Sequence, residues 1–208
     1  MFQELSLEAR REMARVFQPK RVLRGTPLYA LGDRADGVYL VREGLVWLEG
    51  PRSAEGEPAT LGVVGPGGLF GEEALVGGGR RTSGATALTY AEFLFAPQEA
   101  LAPVRARFPE VERFLLEALY ARLKEAEERL WELRHLSVSQ RLARLLLRLS
   151  QAGEVAFSHQ DLARMVGATR ETVTKLLGEW ALSGVVDLGY RRVEVREPQA
   201  LARLAEAL

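Results

Sequence analysis

The sequence contains no cysteine among its 208 residues. Disulfide bonds, thiolate metal sites and cysteine-ligated iron–sulfur clusters are therefore excluded. Histidine is scarce as well, with only His135 and His159. Neither histidine has a nucleophile or a second metal ligand at the spacing that a catalytic or metal site needs, and the acidic residues are scattered over predicted helix faces. The sequence therefore predicts no enzyme and no metal site.

Long apolar runs are also missing. No run is long enough to cross a bilayer, and the N-terminal residues lack the hydrophobic segment of a signal peptide. We therefore expect a cytoplasmic protein that has no membrane partner.

The chain has no net charge, because 28 basic and 28 acidic residues cancel. A balanced chain does not attract nucleic acid through its bulk charge, so any such contact must come from a local patch. The balance tilts weakly positive between residues 137 and 196. The nine basic residues there are Arg141, Arg144, Arg148, Arg164, Arg170, Lys175, Arg191, Arg192 and Arg196.

Residues 158–177 have the strongest local pattern, which predicts two short amphipathic helices joined by a turn at Gly167. Ser158 and Asp161 have the spacing of a capping box, and Thr169 suits the N-cap of the second helix. Glycine favours the positive φ at which the first helix must stop. The predicted buried faces are Leu162, Met165 and Val166 in the first helix, and Val173, Leu176 and Leu177 in the second.

The second helix leaves Arg170, Glu171, Thr174 and Lys175 facing outward. Arginine and lysine donate to guanine O6 and N7, and glutamate accepts from cytosine N4. The segment therefore predicts a helix-turn-helix whose second helix enters the DNA major groove. The alternative is a surface pair of helices with a solvated, charged face.

Strand-like runs alternate with glycines between residues 21 and 97. The runs are 38–41, 45–48, 60–64 and 91–95, and a short amphipathic helix is predicted before them at 4–17. Many short strands with glycine-rich turns indicate an all-β sandwich or small barrel.

A long helix is predicted from about Pro109 to His135. Its apolar residues recur at alternating spacings of three and four, as in a coiled coil: Leu116, Leu119, Leu123, Ala126, Leu130 and Leu133. Dense charge on the other faces favours pairing with a second copy over packing on its own β domain.

The remaining segments flank the helix-turn-helix. Ser137-Val138-Ser139 can cap a helix over 140–149, and residues 155–157 are extended. Residues 185–196 have the pattern of a β-hairpin with Arg191 and Arg192 near its tip, placed to contact phosphate, and a short helix follows from 198. A hairpin directly after the second helix predicts a winged helix-turn-helix.

This order of elements resembles the CRP/FNR family of bacterial transcription regulators over nearly the whole chain. Three motifs support the resemblance. The family's phosphate-binding cassette is similar to Gly-Leu-Phe-Gly-Glu-Glu at 68–73 together with Arg81-Thr82. Its hinge is similar to Leu-Ser-Val-Ser-Gln-Arg-Leu-Ala at 136–143, and the start of its recognition helix to Gly-Ala-Thr-Arg-Glu-Thr-Val at 167–173. The resemblance implies an α+β protein. Its parts are a β-roll or jelly-roll sensor domain of the cyclic-nucleotide-binding type at 1–108, a dimerisation helix at 109–136 and a winged helix-turn-helix domain at 137–208.

The resemblance also implies roles in DNA binding. Arg170, Glu171 and Lys175 contact base edges of a TGTGA-like half-site, and Gln160, Thr169, Thr172 and Ser139 hold phosphates. Lys175 departs from the arginine that is most common there and lacks its bidentate fork, which softens discrimination at that base pair. The implied partners are double-stranded DNA, a second copy of the chain and RNA polymerase. Glu55 and Glu57 are candidates for the polymerase contact, and a solvated hairpin tip is the alternative for these two residues.

The implied ligand-binding residues are Gly71, Glu72, Arg81, Thr82 and Arg122, with Arg122 paired to Glu72. However, the family's Thr-Ser pair on adenine is replaced by Ala126 and Glu127. We therefore expect an activator that requires no cofactor, with Arg81 paired to Glu72, Glu73 or Glu127. Gating by cyclic AMP or another small anionic effector is the alternative. A further alternative is a nucleotide-sensing module that acts on another protein and not on DNA.

Overall fold

The computed structural model describes residues 4–52, 58–77, 79–150 and 155–206. The chain forms two compact units, 1–126 and 127–208, and the border between them falls inside one long helix. The family resemblance divides the chain differently, into a sensor domain at 1–108, a dimerisation helix at 109–136 and a DNA-binding domain at 137–208. This functional division remains a prediction.

The first unit contains eight strands in its described part, with two helices and the start of a third around them. The elements are α1 Leu7–Val16, β1 Gln18–Val22, β2 Pro27–Tyr29, β3 Gly37–Glu43, β4 Val46–Arg52, β5 Pro58–Val64, β6 Leu69–Phe70, a 3₁₀ helix Glu72–Val76, β7 Gly84–Ala87, β8 Ala91–Pro97 and α2 Gln98–Arg107, followed by α3 Pro109–His135.

These strands form two antiparallel sheets, ordered β1-β8-β3-β6 and β2-β7-β4-β5. Buried side chains from both sheets form one cluster, in which the rings of Tyr39 and Phe70 stack with centroids 4.7 Å apart. The prediction of an N-terminal β domain is confirmed.

Strand β3 is buried on both of its faces. Tyr39 and Val41 belong to the cluster between the sheets, whereas Val38 and Leu40 pack with residues of α1, α2 and α3. Both faces are covered up to Val41, so residues 38–41 are a continuous apolar run, whereas Arg42 and Glu43 at the end of the strand are exposed.

Helix α3 has the bounds that the sequence predicts, Pro109–His135. Its first turns are anchored by Val111 and Leu115, which are buried. Further along, three leucines spaced seven residues apart are more than half exposed in the single chain: Leu116, Leu123 and Leu130.

The second unit contains the end of α3, four further helices and one hairpin in its described part. These are α4 Val138–Ser150, α5 His159–Val166, α6 Arg170–Leu182, β9 Val186–Gly189, β10 Arg192–Val195 and α7 Pro198–Glu206. The core consists of fully buried side chains from these elements: Leu142, Leu146, Leu162, Val173, Leu177, Val193 and Leu201. The predicted winged helix-turn-helix is confirmed.

Candidate functional site

Helix α5 begins with the predicted capping box. The Ser158 hydroxyl accepts a hydrogen bond from the Asp161 amide at 3.1 Å, and the Asp161 carboxylate accepts one from the Ser158 amide at 3.0 Å. These bonds satisfy amide groups that have no partner within the helix. The start of α5 is therefore determined by local sequence.

The turn between α5 and α6 depends on Gly167, which has a φ of 65° and a ψ of 51°. Two residues later Thr169 caps α6, because its hydroxyl accepts from the Thr172 amide at 3.2 Å. The turn and both caps lie where the sequence places them. Together they determine where the exposed face of α6 begins.

Gly167→Ala is expected to lower the free energy of unfolding by about 1–2 kcal/mol, the cost of left-handed backbone for a residue with a Cβ. A Cβ at this position also lies 2.9 Å from Cδ2 of Leu133, which must shift. Urea unfolding measures the change.

Gly178→Ala is the matched control. Gly178 lies inside α6, and a Cβ added there meets nothing within 4 Å. Alanine at this position is expected to raise stability by roughly 0.5–1 kcal/mol. Equal effects of the two substitutions would contradict the role assigned to Gly167.

Helix α6 has one buried and one exposed face. Val173 and Leu177 are buried and Leu176 is partly buried. Trp180, also buried, was not predicted, although it lies seven residues after Val173 and continues the same face. The outward set is exposed as predicted: Arg170, Glu171, Thr174 and Lys175.

The four predicted phosphate contacts come from three parts of the second unit. Thr169 and Thr172 are exposed, and their hydroxyl oxygens are 3.0 Å apart. Gln160 in α5 and Ser139 in α4 are half-buried. The structure thus places all seven predicted DNA-contact residues within the second unit.

Several arginines that were counted toward a positive patch are bound inside the unit instead. Arg141 donates to the carbonyl oxygens of Leu136 at 2.7 Å and Val166 at 2.8 Å, and so joins the start of α4 to the end of α5. Arg144 and Arg148 both lie within 4 Å of the Glu132 carboxylate. These three arginines serve the fold of the unit.

His159 at the start of α5 is half-buried, and its Nδ1 lies 3.0 Å from the Thr174 hydroxyl. Burial, and next the charge of Arg170, lower the pKa of its imidazole. The lowered pKa favours the neutral form of the ring beside α6.

The β9–β10 hairpin places Tyr190 and Arg191 in its turn. Arg191 adopts a φ of 53°, and Tyr190 is almost fully exposed. The Arg191 guanidinium lies 3.9 Å from the Asp161 carboxylate, which places the tip of the hairpin beside the start of α5.

A second polar site lies in the first unit, around Arg81. This side chain is completely buried and stacks over the ring of Tyr29, with its guanidinium carbon 4.2 Å from the ring centroid. Its Nη1 donates to the carbonyl of Gly71 at 2.9 Å and its Nη2 to the carbonyl of Gly37 at 2.8 Å. Gly71 has a φ of 76°, and a Cβ there would lie 2.6 Å from Nη1 of Arg81.

Three acidic side chains surround this region. Asp36 accepts from Nη2 of Arg81 at 2.8 Å, and Glu73 lies 3.4 Å from Nη1. Glu72 turns instead to α3, where Nε of Arg122 is 2.9 Å from its carboxylate, as the resemblance implies. Of the three partners expected for Arg81, the structure thus pairs it with Glu73.

Comparison with known proteins identifies the family to which the chain belongs. The cyclic nucleotide-binding domain model matches residues 19–108, and the Crp-like helix-turn-helix domain model matches residues 140–204. A cyclic AMP receptor protein of Thermus thermophilus is 36% identical over 92% of this chain and 90% of its own. The chain belongs to the CRP/FNR family.

Two further relatives extend the match to this family of transcription regulators. A CRP-like cAMP-activated global transcriptional regulator of Mycobacterium tuberculosis is 32% identical over 99% of this chain and 96% of its own. A crystal structure of a CRP/FNR-family transcriptional regulator from Thermus thermophilus has a TM-score of 0.77 and 34% identity, over 91% of this chain and 99% of that one. The protein is thus a CRP/FNR-family transcription regulator with a DNA-binding helix-turn-helix.

Other types of site receive no support from the described residues. They bring no three histidine or acidic side chains together as a metal site, and none of their helices is both long and apolar enough to span a bilayer. Glu55 and Glu57, predicted to contact polymerase, lie outside the described residues.

Proposed function

We propose that this CRP/FNR-family regulator binds a TGTGA-like palindrome as a homodimer and activates transcription without requiring cyclic AMP. The observation that carries the proposal is the face of α6, where Arg170, Glu171 and Lys175 are exposed directly after a capped turn. Among the described residues Arg170 and Lys175 have no ion pair, so their donors are available for guanine O6 and N7.

The neighbouring hydroxyl and amide side chains have a different role in the proposal. Thr169, Thr172, Gln160 and Ser139 are uncharged donors of the kind that bind phosphate oxygens. Such contacts set the position of α6 in the groove but do not distinguish sequences. Variants at these four positions should weaken binding to all duplexes alike.

The homodimer is supported by the exposed leucines of α3. Leu116, Leu123 and Leu130 recur every seven residues, the period of a coiled-coil seam. A two-fold dimer presents two copies of α6 to two half-sites, so a palindromic site follows from the symmetry.

Independence from cyclic AMP is supported at two places. The guanidinium of Arg81 is already bound by two carbonyls and two carboxylates. On α3, Ala126 has no hydroxyl and Glu127 adds negative charge where the family resemblance implies contacts to adenine.

Gating by cyclic AMP is the second candidate, because a 32% identical relative is described as cAMP-activated. In that case Gly71, Glu72, Arg81, Thr82 and Arg122 form the pocket. The deciding assay measures binding to a TGTGA palindrome with and without cyclic AMP, on protein freed of co-purified nucleotide. A strong, saturable enhancement would favour gating.

Activation through RNA polymerase is tested by transcription in a purified system, with the palindrome placed at different distances upstream of a promoter. An activator raises transcript yield at some distances, whereas a repressor lowers yield when the site overlaps the promoter.

Arg170→Ala is expected to weaken binding to the palindrome by about 1–3 kcal/mol and to remove the preference for one guanine in each half-site. Fluorescence anisotropy with duplexes substituted one base pair at a time measures both effects. Arg203→Ala is the matched control, because Arg203 is exposed on α7, outside the helix-turn-helix. An equal loss on every duplex would assign Arg170 to phosphate instead.

A further inference from the structure

Three hydrogen-bond donors of the first unit converge on one internal carboxylate. The amide and the hydroxyl of Thr82 donate to Oε1 of Glu73 at 2.8 and 2.7 Å. Nη1 of Arg81 lies 3.4 Å from Oε2 of the same side chain. A guanidinium, a backbone amide and a hydroxyl that point to one place form a donor set for an oxyanion.

The Glu73 side chain is strongly held in this position. It is 13% exposed, and it lies on the 3₁₀ helix Glu72–Val76, which follows directly after Gly71, whose carbonyl accepts from Arg81. Burial alone would raise the pKa of its carboxyl, but the bonds from Thr82 and the charge of Arg81 outweigh burial, so the pKa lies below its ordinary value. The carboxylate is therefore ionised at neutral pH.

The charges around the site also disfavour a second anion. Arg81 and Arg122 bring two positive charges, whereas Asp36, Glu72 and Glu73 bring three negative ones. With Glu73 in place the cluster is net negative. Without Glu73 the positive and negative charges balance, and the Thr82 donors become vacant.

We propose that Glu73 is a built-in occupant of the oxyanion site formed by Arg81 and Thr82, and that it excludes phosphate-bearing effectors from that site. The inference extends the proposed independence from cyclic AMP by naming the residue responsible. An incoming phosphate must displace a carboxylate that is covalently part of the chain and is therefore always present at high effective concentration. Glu73 thus determines which ligands the pocket accepts.

The test compares the wild type with Glu73→Ala, which vacates the donors and makes room, and Glu73→Gln, which removes the charge and keeps the volume. Cyclic AMP is titrated by calorimetry in a buffer free of phosphate and sulfate. Glu73→Ala is expected to bind cyclic AMP at least about tenfold more tightly than the wild type, the gain from one vacated charge-assisted contact. Glu73→Gln should fall between them.

Asp36→Ala is the matched control. It removes the same charge from beside Arg81, but it leaves Glu73 on Arg81 and on both donors of Thr82. No gain in affinity is expected from it. A gain equal to that of Glu73→Ala would assign the effect to net charge and overturn the proposal.

A second readout measures thermal unfolding with and without sulfate. Sulfate should raise the midpoint of Glu73→Ala and Glu73→Gln more than that of the wild type, because an external anion replaces the lost carboxylate. If Glu73→Ala does not fold, Glu73→Gln provides both comparisons. Equal cyclic AMP affinity and equal sulfate response in wild type and variants would overturn the proposal.

The outcomes separate this inference from the proposed function. Failure of the wild type to bind the palindrome contradicts the proposed function but leaves the ligand comparison intact. Conversely, a wild type that binds DNA without nucleotide, together with Glu73 variants that gain no affinity, overturns only the role of Glu73.

Discussion

Replacing Leu116 and Leu123 together by glutamate is expected to turn the dimer into a monomer and to lower affinity for a palindromic site about 100-fold or more. Both leucines are more than half exposed in the single chain, so the substitutions leave the core of the first unit intact. In the proposed seam they would place four carboxylates against one another in a desolvated interface. Loss of the dimer removes the gain from linking two half-sites, which typically reaches 10²–10⁴-fold.

Light scattering after size-exclusion chromatography measures the mass, and fluorescence anisotropy compares the palindrome with a duplex that holds one half-site. The variant should bind the two duplexes with similar affinity. Ala121→Glu is the control, since Ala121 is exposed roughly 140° around the helix from Leu116. A double variant that remains dimeric would show that α3 does not form the seam.

Arg81→Met is expected to lower the free energy of unfolding of the first unit by about 3–5 kcal/mol, the usual cost of removing one partner of a buried pair. The methionine fills a similar volume, but Glu73 loses its cation, and the carbonyls of Gly37 and Gly71 lose their donors. Amide hydrogen exchange of the strand peptides, together with urea unfolding, measures the loss.

Two companion variants separate charge from packing. Arg81→Lys retains the charge but not the fork that reaches two carbonyls and two carboxylates, so an intermediate loss is expected. Adding Glu73→Leu to Arg81→Met removes the uncompensated carboxylate and should recover part of the stability. Together with Glu73→Leu alone, this double variant gives a coupling energy. If Arg81→Met alone costs under about 1 kcal/mol, the network is not a main source of stability.

Local sequence was sufficient to predict the helix-turn-helix. Ser158, Gly167 and Thr169 are determined by bonds and dihedral angles within a few residues of themselves, so each of their roles follows from residue type and spacing. The same holds for α3, whose first residue is Pro109 and whose apolar period is regular over its length.

The strands that sequence patterns missed depend on partners far along the chain. β1 pairs with β8 although residues 18–22 include Pro19 and exposed charges, and β7 consists of Gly-Ala-Thr-Ala, which has no strong strand preference. Their structure comes from pairing across the sheet. α2 contains Pro103, which hides its helical pattern.

In the candidate ligand pocket, too, the sequence alone could not predict which side chains pair with each other. Sequence could identify Arg81 as an anion-binding residue and name three candidate partners, but the choice depends on the backbone path around Gly71 and Thr82. The structure places Glu73 on Arg81 and Glu72 on Arg122. Adjacent glutamates with different partners cannot be told apart from their spacing alone.

The edges of the two sheets have a consequence for self-association. The two sheets of the first unit have four edge strands in its described part. Three of them contain a proline, namely Pro19 in β1, Pro27 in β2 and Pro58 in β5, and the fourth, β6, is only two residues long. A proline has no N–H to offer an added strand, and a two-residue edge is too short to template one. Growth of either sheet by strand addition, the route to fibrous aggregates, is thus disfavoured on every side.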